Sequence, residues 1–324
     1  RYGEEEHMTL RPSGLPGRLG FSLLFGLPLA CGFGGAAPAS APSSPAAQAT
    51  SPVPPPSSPV TAMRVQSVAD FVTAQNRYLE MVGNAQSGTL RIVIAAGTYT
   101  GVLFQAIDPM TSSEVGVELA GEGDVRIDGN IVIEAPRVEV RGLAIQGQRP
   151  GFRLSIAATQ AVTLADVSLA GGGADPRIRS GTLRVEARGP ATTFDATNLA
   201  LAPAARPVME LESLPGRDFA AVTVRGLTLG EVGGAPAVRL STAGAVTLAE
   251  VSARTSVEPL IAVTRPPVRV TLERCHLAAP TRNGIVQPEV GPDGHPLQFA
   301  PTRLVDCAID APAEGDALPG VASG

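Results

Sequence analysis

The chain has 324 residues, 44% of them hydrophobic, a formal net charge of −5 and a sequence pI near 5.4. It can bury a core as a single domain, but no stretch supplies the basic face that phosphate neutralisation needs, which argues against a nucleic-acid partner. All 25 basic residues are arginine, so no lysine is present to serve as a base.

From the front of the chain, Arg1–His7 carries three consecutive glutamates and does not suit a signal n-region, so Met8 is expected to be the true start. Residues 8–30 combine a short basic region (Arg11, Arg18) with an apolar run from Leu19 to Ala30, too short to span a bilayer, and are expected to be a signal peptide. The stretch LPLAC ending at Cys31 resembles a bacterial lipobox, with Pro28 and Leu29 departing from its usual order. That resemblance implies lipidation of Cys31, with ordinary secretion as the other reading. Residues 31–61, almost all Gly, Ala, Pro and Ser after the cysteine, cannot bury enough apolar surface to fold and are expected to form a disordered tether. Such a coil spans ~30 Å.

A compact domain is expected over 62–311, followed by a flexible tail at 312–324. It opens with an amphipathic helix over 67–82, with Ser67 as N-cap and Asp70 three residues on. An eight-residue pattern then returns seven times: VEVRGLAI (138–145), VTLADVSL (162–169), TTFDATNL (192–199), VTVRGLTL (222–229), VTLAEVSA (246–253), VTLERCHL (270–277) and TRLVDCAI (302–309). Positions one, three, six and eight are apolar or Thr throughout, and the rest are mostly polar or small. Alternation on each side of a fixed slip describes two short strands joined by a bend, each with one buried face. A third strand per coil reads at 131–135, 152–156, 182–187, 208–212, 237–241 and 260–264. Three strands per coil of about two dozen residues make an all-β parallel β-helix, with the N-terminal helix covering the exposed edge of the first coil. At position two, Thr163, Thr193, Thr223, Thr247 and Thr271 are expected to stack in one outward row, as suits a solvent-facing strand.

The segments TLRIVIAAGTYTG (89–101) and VELAGEGDVRIDGN (117–130) resemble the opening coils of the pectin-lyase-like right-handed parallel β-helix superfamily. That resemblance covers roughly 65–311 and implies the right hand of the coil. Enzymes of that superfamily act largely on acidic polysaccharides, the lyases with an Arg or Lys base, often beside Ca²⁺, and the hydrolases with clustered Asp. The hydrolase-like Asn-x-Asp, Asp-Asp and Gly-His-Gly elements are missing here, Trp is absent and only three Tyr occur, so sugar-stacking platforms are scarce. Ca²⁺ is expected only under the lyase reading; otherwise neither cofactor nor metal site is indicated.

Strand parity stacks Arg184, Glu210 and Arg239 in one outward column, and Glu186 beside Glu212 in the next. A carboxylate pair flanked by guanidinium groups can do acid–base work on an anionic substrate, while alternating Arg and Glu along a ladder are more simply cross-strand ion pairs. Cys275 and Cys307 share motif position six in successive copies, and either a disulfide or two buried free thiols fits that placement. His276 points outward, the 215–217 PGR reads as a protruding turn, and Arg282, Glu289, Asp293 and His295 sit on a long insertion at 279–299. The expectation is an exported protein, lipid-anchored to the cell envelope at the outer membrane or cell surface, or else periplasmic or extracellular. It is expected to serve as a non-catalytic binding or scaffolding module for glycan or protein; the alternative is a lyase or hydrolase of an anionic polysaccharide.

Overall fold

The computed structural model describes residues 59–108, 113–147, 150–171, 181–202, 208–232, 236–242, 244–255, 259–265, 268–278, 286–288, 302–310 and 322–323. The signal segment, Cys31, the tether up to residue 58, the 279–285 and 289–301 parts of the insertion and most of the 312–324 tail lie outside these residues.

β1 (Val60–Val65) leads into α1 (Val68–Gly83), whose Phe71, Ala74, Tyr78 and Met81 are buried at the helical spacing of one face. The helix starts where the sequence predicts because the Asp70 carboxylate reaches back to accept the backbone N–H groups of Gln66 and Ser67, both at 2.8 Å. Those bonds favour the carboxylate over the acid and hold the Asp70 pKa below its ordinary value. β2 (Ser87–Ile107) and β3 (Glu114–Glu134) each run unbroken for 21 residues, round the first complete coils. Every later coil breaks before its third face, and from β12 onward also at the corner between the first two faces.

Three parallel faces result. The first carries motif positions one to four through the N-terminal parts of β4 (Arg137–Gln146), β6 (Ala161–Ala170), β8 (Thr192–Leu201) and β10 (Phe219–Val232), as well as β12 (Gly244–Ala249), β15 (Val268–Glu273) and β18 (Arg303–Val305). The second carries positions six to eight through the C-terminal parts of those same long strands and β13 (Ser252–Thr255), β16 (His276–Ala278) and β19 (Ala308–Asp310). The third stacks β5 (Leu154–Ala158), β7 (Leu183–Ala187), β9 (Met209–Ser213), β11 (Val238–Ser241), β14 (Ile261–Val263) and β17 (Val286–Pro288). All pairings between described strands are parallel and in register over most of their length, giving an all-β right-handed parallel β-helix of about seven turns with one N-terminal helix. Inside it, aliphatic columns such as Ile131, Leu154, Leu183, Met209, Val238 and Ile261 stack from rung to rung and exclude water.

The corner between the first two faces is made by one residue. Gly142, Asp166, Asn198, Gly226, Glu250, Arg274 and Asp306 all have φ between 51° and 67°, the left-handed conformation that reverses the strand's side-chain parity. This fixes the motif and corrects one copy. The third copy runs from Phe194 to Leu201, two residues later than TTFDATNL, because Phe194 pairs with Val162 and Val222, and Leu199 with Val167 and Leu227. A slip of two keeps Phe194, Leu199 and Leu201 inside and changes sides only for Thr197, between the two candidate corners, so the hydrophobic pattern could not detect it. The backbone could: Asn198 tolerates the left-handed corner far better than Ala196, which the earlier frame would place there. The Thr row is therefore interrupted. Asp195, not Thr193, stands between Thr163 and Thr223, and Thr197 is exposed beside Arg225 rather than inside.

β1 begins at Val60, inside the segment expected to be tether, and pairs in parallel with β2 from Val60 to Val65. β20 (Ala322–Ser323), inside the expected flexible tail, pairs with β18.

Candidate functional site

Strand pairing brings the five residues singled out by parity onto the outer side of the third face. Arg184 pairs with Glu210 and Glu210 with Arg239 in one column, and Glu186 pairs with Glu212 in the next. The columns are those expected from the sequence. Their environment is not, because Glu210 is 1% exposed although its side chain has outward parity; it lies between the long side chains of Arg184 and Arg239 in the flanking rungs. Arg239 Nη1 donates to Glu210 Oε1 at 3.5 Å.

The acidic pair is bridged. Arg184 binds Glu186 at 3.1 Å and Glu212 at 2.7 Å, so one guanidinium is shared by the two carboxylates that would otherwise repel. Two residues that the sequence reading left out extend this network. Arg188, in the turn after β7, donates to Glu186 at 3.0 Å and forks onto both oxygens of Glu134 at 2.6 and 3.1 Å. Burial works against the Arg188 charge, yet its bonds to Glu134 and Glu186 outweigh it and hold the pKa above the ordinary value. Glu134 belongs to the same column as Glu186 and Glu212, separated only by the small Ala157, over which the Arg188 side chain can reach. Ladder register extended two rungs earlier, past Ala157, would have found Glu134; Arg188 lies outside any strand, where parity is silent.

Beside this network is a cavity of 20 Å³, lined among others by Asp108, Ser113, Glu134, Thr159 and Arg188, which is room for about one water molecule. It is too small for a sugar ring. Tyr78 of α1 donates to the Glu134 carbonyl at 2.7 Å, and burial, reinforced by Asp108, pushes its phenol pKa far up, so it is an anchor rather than an acid. The first face has its own clamp: Glu118, 4% exposed, is held at 2.6 Å by both Arg91 and Arg141.

Elsewhere the expected positions are filled as follows. The PGR turn at 215–217 is exposed and carries positive φ at Gly216, and near it Arg265 binds Asp218 and the Ser213 carbonyl. His276 is exposed, with Nε2 at 3.2 Å from Asp310. Cys275 and Cys307 occupy equivalent corners of adjacent coils as free thiols. Arg282, Glu289, Asp293 and His295 lie outside the described residues. Among the described residues no group of three or more His, Cys, Asp or Glu converges as a metal site, and no helix is long and apolar enough to cross a membrane.

Fold and surface together define a right-handed parallel β-helix with a charged, internally paired third face. Comparison with protein-family models, curated proteins and solved structures gives no match.

Proposed function

We propose that this chain is an exported β-helix, lipid-anchored through Cys31 at the cell envelope, that acts as a non-catalytic binding or scaffolding module for glycan or protein. The observation that carries this reading is the pairing within the third face: Arg184 bridges Glu186 and Glu212, and Arg188 joins Glu186 to Glu134. Carboxylates clamped between guanidinium groups tie rungs together and give a stiff polar surface, and they are poorly placed to pass a proton to a sugar. The signal-like front, the Pro/Ala/Ser tether and the superfamily resemblance of 89–101 and 117–130 support export and a glycan-facing role. Under the alternative, a lyase or hydrolase of an anionic polysaccharide, Glu186 and Glu212 with Arg184 and Arg239 form the site, and Ca²⁺ enters only if the reaction is a lyase.

The test is a glycan array and a polysaccharide-degradation screen on the full chain, with ultraviolet absorbance to report unsaturated products. Binding without turnover is expected, and Glu212→Gln should cost about 1–3 kcal/mol of stability, because the Glu212 side chain is only 13% exposed and its carboxylate is held by Arg184. Turnover that falls ~10²-fold or more in Glu212→Gln, the size of a lost general acid or base, would establish the enzyme reading instead. Metabolic labelling with a fatty-acid analogue should mark the wild type and not Cys31→Ser. Undiminished label in that variant removes the anchor.

A further inference from the structure

Cys275 and Cys307 lie at motif position six, just beyond the left-handed corners made by Arg274 and Asp306. β16 pairs with β19 so that His276 faces Ala308 and Leu277 faces Ile309, which makes the two cysteines register partners one rung apart. Neighbouring parallel strands hold such partners at a Cα separation of ~4.8 Å, within the ~4.4–6.8 Å that a disulfide spans. The Ala308 backbone N–H donates to the Cys275 carbonyl at 2.8 Å, which ties the two corners together. Cys307 Sγ also lies 3.3 Å from the carbonyl oxygen of Leu272, a residue of the Cys275 coil, so it leans back across the gap between rungs.

The two thiols differ in reactivity. Cys275 is buried, and its pKa is pushed up to about 12, first by burial and then by the neighbouring Cys307. Cys307 is half-buried and therefore the one an outside reagent meets first.

We propose that Cys275 and Cys307 form a redox site, oxidised by a disulfide-bearing carrier to a cystine that clips the last coil to the one before it. Its use in the cell rests on the exported reading, because an oxidising compartment must supply the carrier. Cys307 loses its proton and attacks one carrier sulfur, giving a mixed disulfide and releasing the other carrier sulfur as a thiolate. Cys275 then loses its proton and attacks Cys307 Sγ, expelling the second carrier thiolate. One S–S bond forms in the protein, one is lost in the carrier, and two protons pass to the carrier's thiolates, leaving it a reduced dithiol. The bond closes a loop over the 279–299 insertion and joins the last coil, whose β18 and β19 have only three residues each, to the one before it.

The test uses the reduced full chain in a Cys31→Ser background, incubated with oxidised glutathione, then denatured, alkylated and mapped by mass spectrometry. The expected product has neither Cys275 nor Cys307 alkylated, a mass lower by two hydrogens, and a higher thermal midpoint that reductant reverses. Cys275→Ser should stop at a glutathione adduct on Cys307. Wild-type chain that retains both thiols, or that accumulates the glutathione adduct without closing the bond, overturns the proposal. A second arm maps the chain recovered from the envelope of its own cells. A bond that forms with glutathione but is missing there overturns the exported reading while the pair's chemistry stands.

Discussion

The two ends of the solenoid solve the same problem unequally. At the N-terminal end, α1 lays Phe71 edge-on against Tyr99 and Phe104, with ring centroids 5.6 and 6.1 Å apart, and the Gln75 side chain accepts the otherwise open Gln105 backbone N–H at 3.1 Å. The coils beneath are continuous strands whose inward residues are sealed. At the C-terminal end, the inward residues Leu304, Cys307 and Ile309 are only half-buried, and among the described residues no helix covers them. In a stack where each coil buries its neighbour, a terminal coil loses half its cover unless another element replaces it. The N-terminal helix is that replacement; at the other end the described residues show only the two-residue β20 pairing beyond β18, and the Cys275–Cys307 pair lies there.

The sharpest way to break this comparison is to put the same charge into the same column at both ends. Leu119 and Leu304 both occupy the column that runs through Val140, Leu164, Val224, Leu248 and Leu272. Leu119→Asp places an unpaired carboxylate at a fully buried site and should cost above ~5 kcal/mol, enough to prevent the N-terminal coils from forming. Leu304→Asp can turn its carboxylate to water and should cost about 1–3 kcal/mol, loosening only the last coil. Hydrogen exchange resolved along the chain measures both. Equal losses would mean that the ends are equally sealed.

A smaller effect separates the cap from the coils through pH. Asp70 has a folded pKa held below its unfolded value by the backbone N–H groups of Gln66 and Ser67 and by the Ser67 side chain, so it stabilises the helix above the unfolded pKa. That contribution disappears as pH falls through the depressed folded pKa. Wild type should therefore lose its advantage over Asp70→Asn only in acid, read as helix protection against pH. A difference that persists unchanged below both pKa values would assign the effect to packing rather than to the charged cap.

Much of this was legible in the sequence because a β-helix repeats its physics. Inward parity, the three faces and the columns of Arg184, Glu210 and Arg239 follow from period-two alternation and the motif spacing, and α1 from its helical apolar stripe behind Ser67 and Asp70. Two things did not. The frame of the third copy was hidden because a two-residue slip leaves every apolar residue inside, and only the left-handed preference of Asn198 distinguishes the frames. The extent of the charged network was hidden because Arg188 stands in a turn, where no periodicity predicts a side chain's direction. The burial of Glu210 was also missed: parity gives the face of a strand, not what its neighbours' side chains cover.

The smallest predicted effect tests the corner rule that corrected that frame. Gly142 and Gly226 take the left-handed conformation without strain, and Asp166, Asn198 and Asp306 at little cost, but Glu250 at φ 56° and Arg274 at φ 51° carry a Cβ and a long side chain there. Glu250→Gly removes that strain, and a single left-handed non-glycine residue costs about 1 kcal/mol or somewhat more. Against this stand the extra freedom of glycine in the unfolded chain and the loss of the Glu250–Arg274 ion pair at 3.0 Å, which is exposed at both partners and so largely screened by water. The net expectation is a gain of about 0.5 kcal/mol in denaturant unfolding, whereas Gly226→Val should lose stability, because a branched side chain at φ 67° would crowd Asn198 in the preceding coil. If Glu250→Gly destabilised the protein by as much as Gly226→Val, the corner would be held by its side chains and not by its backbone. The frame of all seven copies would then need another anchor.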